Sequence, residues 1–420
     1  MRDEHLSCRG PPRKSAAILT LVIFGTLVIV TSSCFPAALS HPSFDQNRLT
    51  AYYSNSWINV SYGAGPGPLW GMGMASTFVN GTNGGDLLYG GVNGTGAISQ
   101  ATWLYTNNGW TQPCDPCAPG ARWGATMVYG AGWVLLFGGC DTVPVPGNSC
   151  PTSDYLSDAW VWCTYSGWNY YWQRVGNTPQ NLGAIMNMSA AAPADYQLAV
   201  LFGGIVPGGT PYGGTWGFSE DCSSSGRAQL PGWYQFNPNT SPAARWGAGF
   251  VDDLAGIHDL LTFPDTSSYV LYGGRDNSGN VYGDTWGFVP AANGNPGTNC
   301  WDAYQCSTPG NWILLNASWQ GPGDRVPHLA FYGSNSNLVM WGGGDYYTGA
   351  KYTDTWIFNT TNGWGQITTP SSSPVFRLQG MFTYDSGASG NSVGVYLYGG
   401  TDDYTTPCSP SVYSDLWHWD

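Results

Sequence analysis

Charge, and positive charge above all, is what this sequence has least of. Charged residues make up 9% of the 420, and the formal net charge is -13. Lysine occurs only at Lys14 and Lys351, and glutamate only at Glu4 and Glu220. A surface of this sign repels phosphate backbones, so nucleic acid is excluded as a partner class. Histidine is also sparse. His5, His41, His258, His328 and His418 are scattered, and no two stand at zinc-ligand spacing. No GxSxG, HExxH or P-loop sequence occurs. The chain therefore carries no motif for a metal or cofactor. The apolar run Ala16–Val30 is shorter than the ~20 residues a comfortable membrane-spanning helix needs.

Glycine and aromatic residues are abundant: Gly 60, with Phe, Trp and Tyr at 15%. That pairing predicts many short strands joined by tight turns. Glycine supplies positive φ in the turns, and aromatic side chains fill the pleated faces between them.

The stretch Tyr269–Phe288, YVLYGGRDNSGNVYGDTWGF, is the unit of the chain. An apolar strand runs into a Gly-Gly pair, then come a polar loop, Asp-Thr-Trp and a second apolar strand. The pairs are Gly90-Gly91, Gly138-Gly139, Gly203-Gly204, Gly273-Gly274, Gly342-Gly343 and Gly399-Gly400. The tryptophans that follow are Trp103, Trp160, Trp216, Trp286, Trp356 and Trp417, and Asp158, Asp284, Asp354 and Asp415 stand two residues before four of them. A second Trp opens a further strand at Trp110, at Trp168 or Trp172, and at Trp233, Trp312 and Trp364. Ahead of the Gly-Gly strand lies another strand, led by Arg122, Arg245, Arg325 or Arg377. Four short strands per period, six times over, predict a β-propeller, because one such sheet cannot bury both faces alone.

This unit resembles the kelch family of β-propellers, to which the galactose-oxidase propeller is related. The likeness spans residues 57–420 and rests on the diglycine, the two tryptophans and the leading arginine. It departs in blade 1, where Gln100-Ala101-Thr102 lacks the Asp, and in blade 3, which has Gly214 for Asp and opens at Asn181 instead of Arg. The resemblance implies an all-β, six-bladed ring. The copper ligands of galactose oxidase do not map onto this chain. The sixth repeat stops after its third strand, and SWINVS around Trp57 reads as an orphan fourth strand. Residues 57–61 are therefore expected to pair with the strand around Trp417 and close the ring.

Arg2, Arg9, Arg13 and Lys14 precede the apolar run, and Ala38-Leu39-Ser40 follows it. Residues 1–40 thus read as a cleaved signal peptide or an uncleaved signal-anchor, residues 41–56 as a short linker, and residues 57–420 as an extracellular ring. Membrane contact is expected only through such an anchor. Acceptor sequons for N-glycans stand at Asn59, Asn80, Asn93, Asn187, Asn316 and Asn359, with a weaker one at Asn239 before Pro242. Nine cysteines follow the leader, and in an exported chain they should mostly pair. In a kelch-like blade, second-to-third strand loops share one face of the disc with the blade-to-blade loops, and the remaining loops share the other. Cysteines too far apart across the disc cannot bond. The expected bridges are Cys140–Cys150, Cys300–Cys306, Cys163–Cys222 and Cys114–Cys117, leaving Cys408 free.

Residues that recur from blade to blade read as structure. The aspartates are expected to bond turns, Tyr212, Tyr282, Tyr352 and Tyr413 to pack within blades, and the four arginines to tie blades together. Function on a repeat fold is left to loops that do not repeat. Asp345, Tyr346, Tyr347, Asp402, Asp403 and Tyr404 have no counterparts in the other blades. Carboxylates beside aromatic rings suit a sugar, whose apolar face stacks while its hydroxyls donate. The same residues also read as a solvated loop. The favoured function is an exported, non-catalytic module that binds a protein or a surface glycan. The alternatives are a carbohydrate-active or oxidative enzyme with these carboxylates at the ring mouth, and a subunit of a self-assembling surface layer or filament.

Overall fold

The structure, a computed structural model, describes residues 56–419 except 62, 78–84, 115–118, 131, 145–149, 164–170, 177, 193–197, 221, 223–231, 254–267, 291–308, 316–320, 333–336, 346–347, 360–362, 369–371, 386–392 and 403–410. It is an all-β propeller of six antiparallel sheets. Among the described residues no helix is long and apolar enough to cross a membrane.

Blade 1 runs through Gly73–Thr77, Gly85–Tyr89, Thr102–Thr106 and Gly109–Cys114. Blade 2 uses Thr126–Gly130, Trp133–Phe137, Ala159–Cys163 and Trp172–Val175, so Trp172, and not Trp168, opens its outer strand. Blade 3 uses Ser189–Ala191, Ala199–Phe202, Thr215–Ser219 and Gly232–Phe236. Blade 4 uses Gly249–Asp253, Ser268–Tyr272, Thr285–Val289 and Asn311–Leu314. Blade 5 uses Val326–Tyr332, Asn337–Asp345, Thr355–Asn359 and Gly363–Ile367. Blade 6 uses Met381–Asp385, Gly394–Tyr398 and Leu416–Trp419. Its outer strand is Trp57–Asn59, paired Trp57 to Trp419, Ile58 to His418 and Asn59 to Trp417. The first strand of every blade packs against the first strands of both neighbours, and the circuit closes from blade 6 back to blade 1.

Second strands are buried along their whole length, as in Leu87, Leu135, Leu201, Leu271 and Leu397, because another blade covers each face. The blade-to-blade seams repeat one aromatic contact. The residue before each diglycine meets the outer-strand Trp of the next blade. These pairs are Tyr89 with Trp172, Phe137 with Trp233, Phe202 with Trp312, Tyr272 with Trp364, Trp341 with Trp57, and Tyr398 with Trp110, at centroid separations from 4.7 to 6.0 Å. Each such pair adds about 0.5–1.5 kcal/mol beyond its area burial.

The diglycines have a second task at these seams. Their φ values are positive, for example +72° at Gly90 and +92° at Gly91. A Cβ on Gly90 would stand 2.4 Å from the carbonyl oxygen of Arg122 in blade 2, while the N–H of Gly91 donates to that same oxygen at 2.9 Å. Gly139 bonds Ile185, Gly204 bonds Arg245, Gly274 bonds Arg325 and Gly400 bonds Leu69 in the same way. This register corrects the sequence alignment of blade 3: the residue in the arginine's place is Ile185. Asn181 lies outside that contact and donates its side-chain amide to Gln235 Oε1.

Candidate binding face

The start of each first strand, the end of each second strand and the blade-to-blade loops lie on one face of the disc. On that face each blade carries a small extra layer of paired backbone. The residue after the arginine position pairs with the residue after the diglycine, as in Trp123 with Cys140, Met186 with Ile205, Trp246 with Arg275 and Leu378 with Thr401.

Just beneath sit the recurrent charges. Arg122 grips Asp158 with both guanidinium nitrogens, at 2.7 and 2.9 Å, and donates to the carbonyl of Gly138. Arg245 with Asp284, Arg325 with Asp354 and Arg377 with Asp415 repeat this. Every member of a pair belongs to one blade. The arginine side chains therefore bind strands within a blade, which corrects the expectation that they tie blades together; the backbone carbonyls of Arg122, Arg245 and Arg325 do that. Each Asp also accepts from the Trp two residues on, Trp160, Trp286, Trp356 or Trp417. The Asp158, Asp284 and Asp415 carboxyls are partly buried, which alone would raise their pKa. The hydrogen bonds and charge of the partner arginine outweigh this and hold them below the usual carboxylate value. Tyr282, Tyr352 and Tyr413 lie against the guanidinium faces, 3.8 to 4.4 Å from ring centroid to Cζ. Blades 1 and 3 lack Arg and Asp together, and in blade 3 the Tyr212 hydroxyl takes the Trp216 N–H at 2.9 Å. These repeated residues are framework.

Of the six loop candidates, Asp345 and Asp402 are described, and Tyr346, Tyr347, Asp403 and Tyr404 lie outside the described residues. Asp345 is 9% exposed and accepts hydrogen bonds from Thr348, which caps its own loop. Asp402 is half-buried in the neighbouring blade. Lys351 joins the two loops: its Nζ reaches the Asp402 carbonyl at 3.4 Å and lies over the Phe376 ring at 4.9 Å. Beside Phe376, Val375 is 55% exposed. The loops of blades 5 and 6 thus meet in one patch with an apolar side and a cation.

Two of the expected disulfides are present. Cys140–Cys150 lies in the blade 2 loop of this face, and Cys163–Cys222 joins blades 2 and 3 on the opposite face, with Cα atoms 6.0 and 5.6 Å apart. Cys117, Cys300, Cys306, Cys408 and the side chain of Cys114 lie outside the described residues. Among the sequons, Asn59 is exposed at the end of the closing strand. Asn93 folds into a turn, its Oδ1 accepting from Thr95 and Ala97. Asn80, Asn316 and the Asn359 side chain lie outside the description.

The repeat did not single out two residues at the axis. Two positions after the arginine stand Gly71, Gly124, Asn187, Gly247, Pro327 and Gln379, in blade order. Asn187 and Gln379 keep the left-handed backbone of the glycines, at φ 55° and 52°. A blade-by-blade alignment of this position would have shown Asn and Gln in glycine's place, but it needs the correct register of blade 3.

No protein-family model matches the chain, and no curated protein matches it.

Proposed function

We propose that this chain is an exported kelch-type recognition module whose loop-bearing face binds a protein or a surface glycan without catalysis. One observation carries the reading. In four blades the face's repeated charges are consumed in matched Arg–Asp pairs, whereas Lys351, Asp402, Phe376 and Val375 form a patch across the blade 5–6 seam that no other seam repeats among the described residues. The two disulfides support an oxidising compartment, and the six diglycine–Trp repeats support the kelch-type reading. Glycan-array binding by the full chain is expected, without release of free sugar, and Lys351→Ala combined with Asp402→Ala should weaken it. Turnover of a bound glycan would favour the carbohydrate-active enzyme, and concentration-dependent assembly the surface-layer subunit. Either result, or array binding indifferent to the double variant, overturns the proposal.

A further inference from the structure

At the axis, backbone bonds link the ring mouth on the loop-bearing face. Gly71 donates to the Gln379 carbonyl at 3.1 Å, Gly124 to Gly71 at 2.7 Å, and Asn187 to Gly124 at 2.8 Å. This arc crosses blades 6, 1, 2 and 3, with glycine in the middle and a carboxamide residue at each end. Blade 5 has Pro327 at the equivalent position, which has no N–H to donate onward to blade 4.

Both side chains lean inward over the glycines. A Cβ on Gly71 would meet Gln379 Oε1 at 3.3 Å, and one on Gly124 would meet Asn187 Oδ1 at 3.0 Å. The two glycines are therefore the floor of a small cradle walled by two carboxamides and, on the Gly124 side, by the Met186 methyl, 2.6 Å from where a Cβ on Gly124 would stand. Gln379 is the costlier of the two walls. Left-handed backbone is unfavourable for a Gln, less so for an Asn. Its Oε1 is also buried with no donor among the described residues, an arrangement proteins avoid. Backbone strain and an unmade hydrogen bond on one side chain make it a candidate ligand contact.

We propose that this axial cradle, with Asn187 carrying no glycan and the Gln379 amide turned out of its buried position, binds a neutral sugar unit end-on, the two amides reading its hydroxyls. A carboxamide offers one acceptor and two donors without charge, which matches adjacent hydroxyls that both donate and accept. The chain's net charge of -13 disfavours an anion, and the uncharged walls give a cation no neutralising partner. The inference rests on the reading that this face is the binding face, and it names the ligand class for its centre.

The test uses the full chain with methyl α-glucoside, methyl α-galactoside and methyl α-mannoside as probes, followed by saturation-transfer NMR and calorimetry. At least one is expected to bind. Gln379→Gly and Asn187→Gly should each weaken that binding at least tenfold. Because glycine is at ease at positive φ, both variants should melt at or above the parent temperature. A lower melting temperature in either variant would make its amide structural and overturn the proposal. So would unchanged binding in both, or no binding of any glycoside by the parent. If glycan-array binding persists in those cases, the cradle fails while recognition by the outer loops stands. Loss of array binding in Lys351→Ala with Asp402→Ala, but not in the glycine variants, would point to the same conclusion.

Discussion

The indole N–H of Trp312, on the outer strand of blade 4, donates to the hydroxyl of Thr215 in blade 3 at 2.9 Å. Trp172 with Thr102, Trp364 with Thr285, and Trp57 with Thr355 repeat the bond across three other seams. At the seam between blades 2 and 3 the threonine's place is taken by Ala159, and the N–H of Trp233 is buried without an acceptor among the described residues. Ala159→Thr should therefore stabilise the ring by about 1 kcal/mol, the net worth of an ordinary hydrogen bond. Thr215→Ala should cost about 1–3 kcal/mol by orphaning Trp312. Paired denaturant titrations would check both, and a destabilised Ala159→Thr would show that the seam has no room for the hydroxyl.

Closure depends on a segment 298 residues away in sequence from the hydroxyl it bonds. Trp57 is fully buried among Trp341, Phe382 and Trp419. Trp57→Ala should cost about 3–5 kcal/mol, as for other buried Trp truncations, and should loosen the blade 5–6 seam first. Hydrogen exchange would report this as early exchange in Leu416–Trp419. Uniform exchange matching the parent would contradict the role given to this strand.

The Arg–Asp pairs predict a sign that simple contact counting would miss. Asp284→Asn leaves Arg245, 1% exposed, without its counter-charge and should cost about 3–5 kcal/mol. Arg245→Ile combined with Asp284→Gly copies what blade 3 already holds at Ile185 and Gly214, and should cost less than the single change. A double-mutant cycle measures the difference. A double variant as unstable as the sum of its singles would refute the idea that the pair is replaceable as a unit.

His328, on the first strand of blade 5, predicts a pH dependence. Burial first, and the nearby Arg377 charge second, pull its imidazole from 6.5 down to about 4. The folded ring thus keeps it neutral where the unfolded chain protonates it. Stability from this group is complete above pH 6.5 and is lost as pH falls from 6.5 to about 4, by about 3 kcal/mol in all. Asp158, Asp284 and Asp415, whose pKa values are lowered from 3.8, add their loss only below that window. His328→Phe, which keeps a ring against Trp341 and Phe382, should flatten the slope between pH 4 and 6.5. Unfolding midpoints at pH 4.5 and 7 would decide it.

Blade number, strand order and ring closure were already legible in the chain. A diglycine and its tryptophans recur in each repeat at short range, and strands, turns and their order follow from that pattern. Two cysteine pairings followed from the faces those strands imply. What the chain could not reveal lies at contacts between repeats. The arginine side chain joins strands within its own blade while its carbonyl accepts from the preceding blade, and only coordinates separate the two. The register of blade 3 turned on which residue, Ile185 or Asn181, meets Gly139 across a seam, and Ile185, 46 residues on from Gly139, is the one that does. Asn187 and Gln379 became visible as a pair only once six blades were wrapped about an axis. Closure brings positions from blades 3 and 6 to one mouth, and proximity of that kind has no signature along the chain.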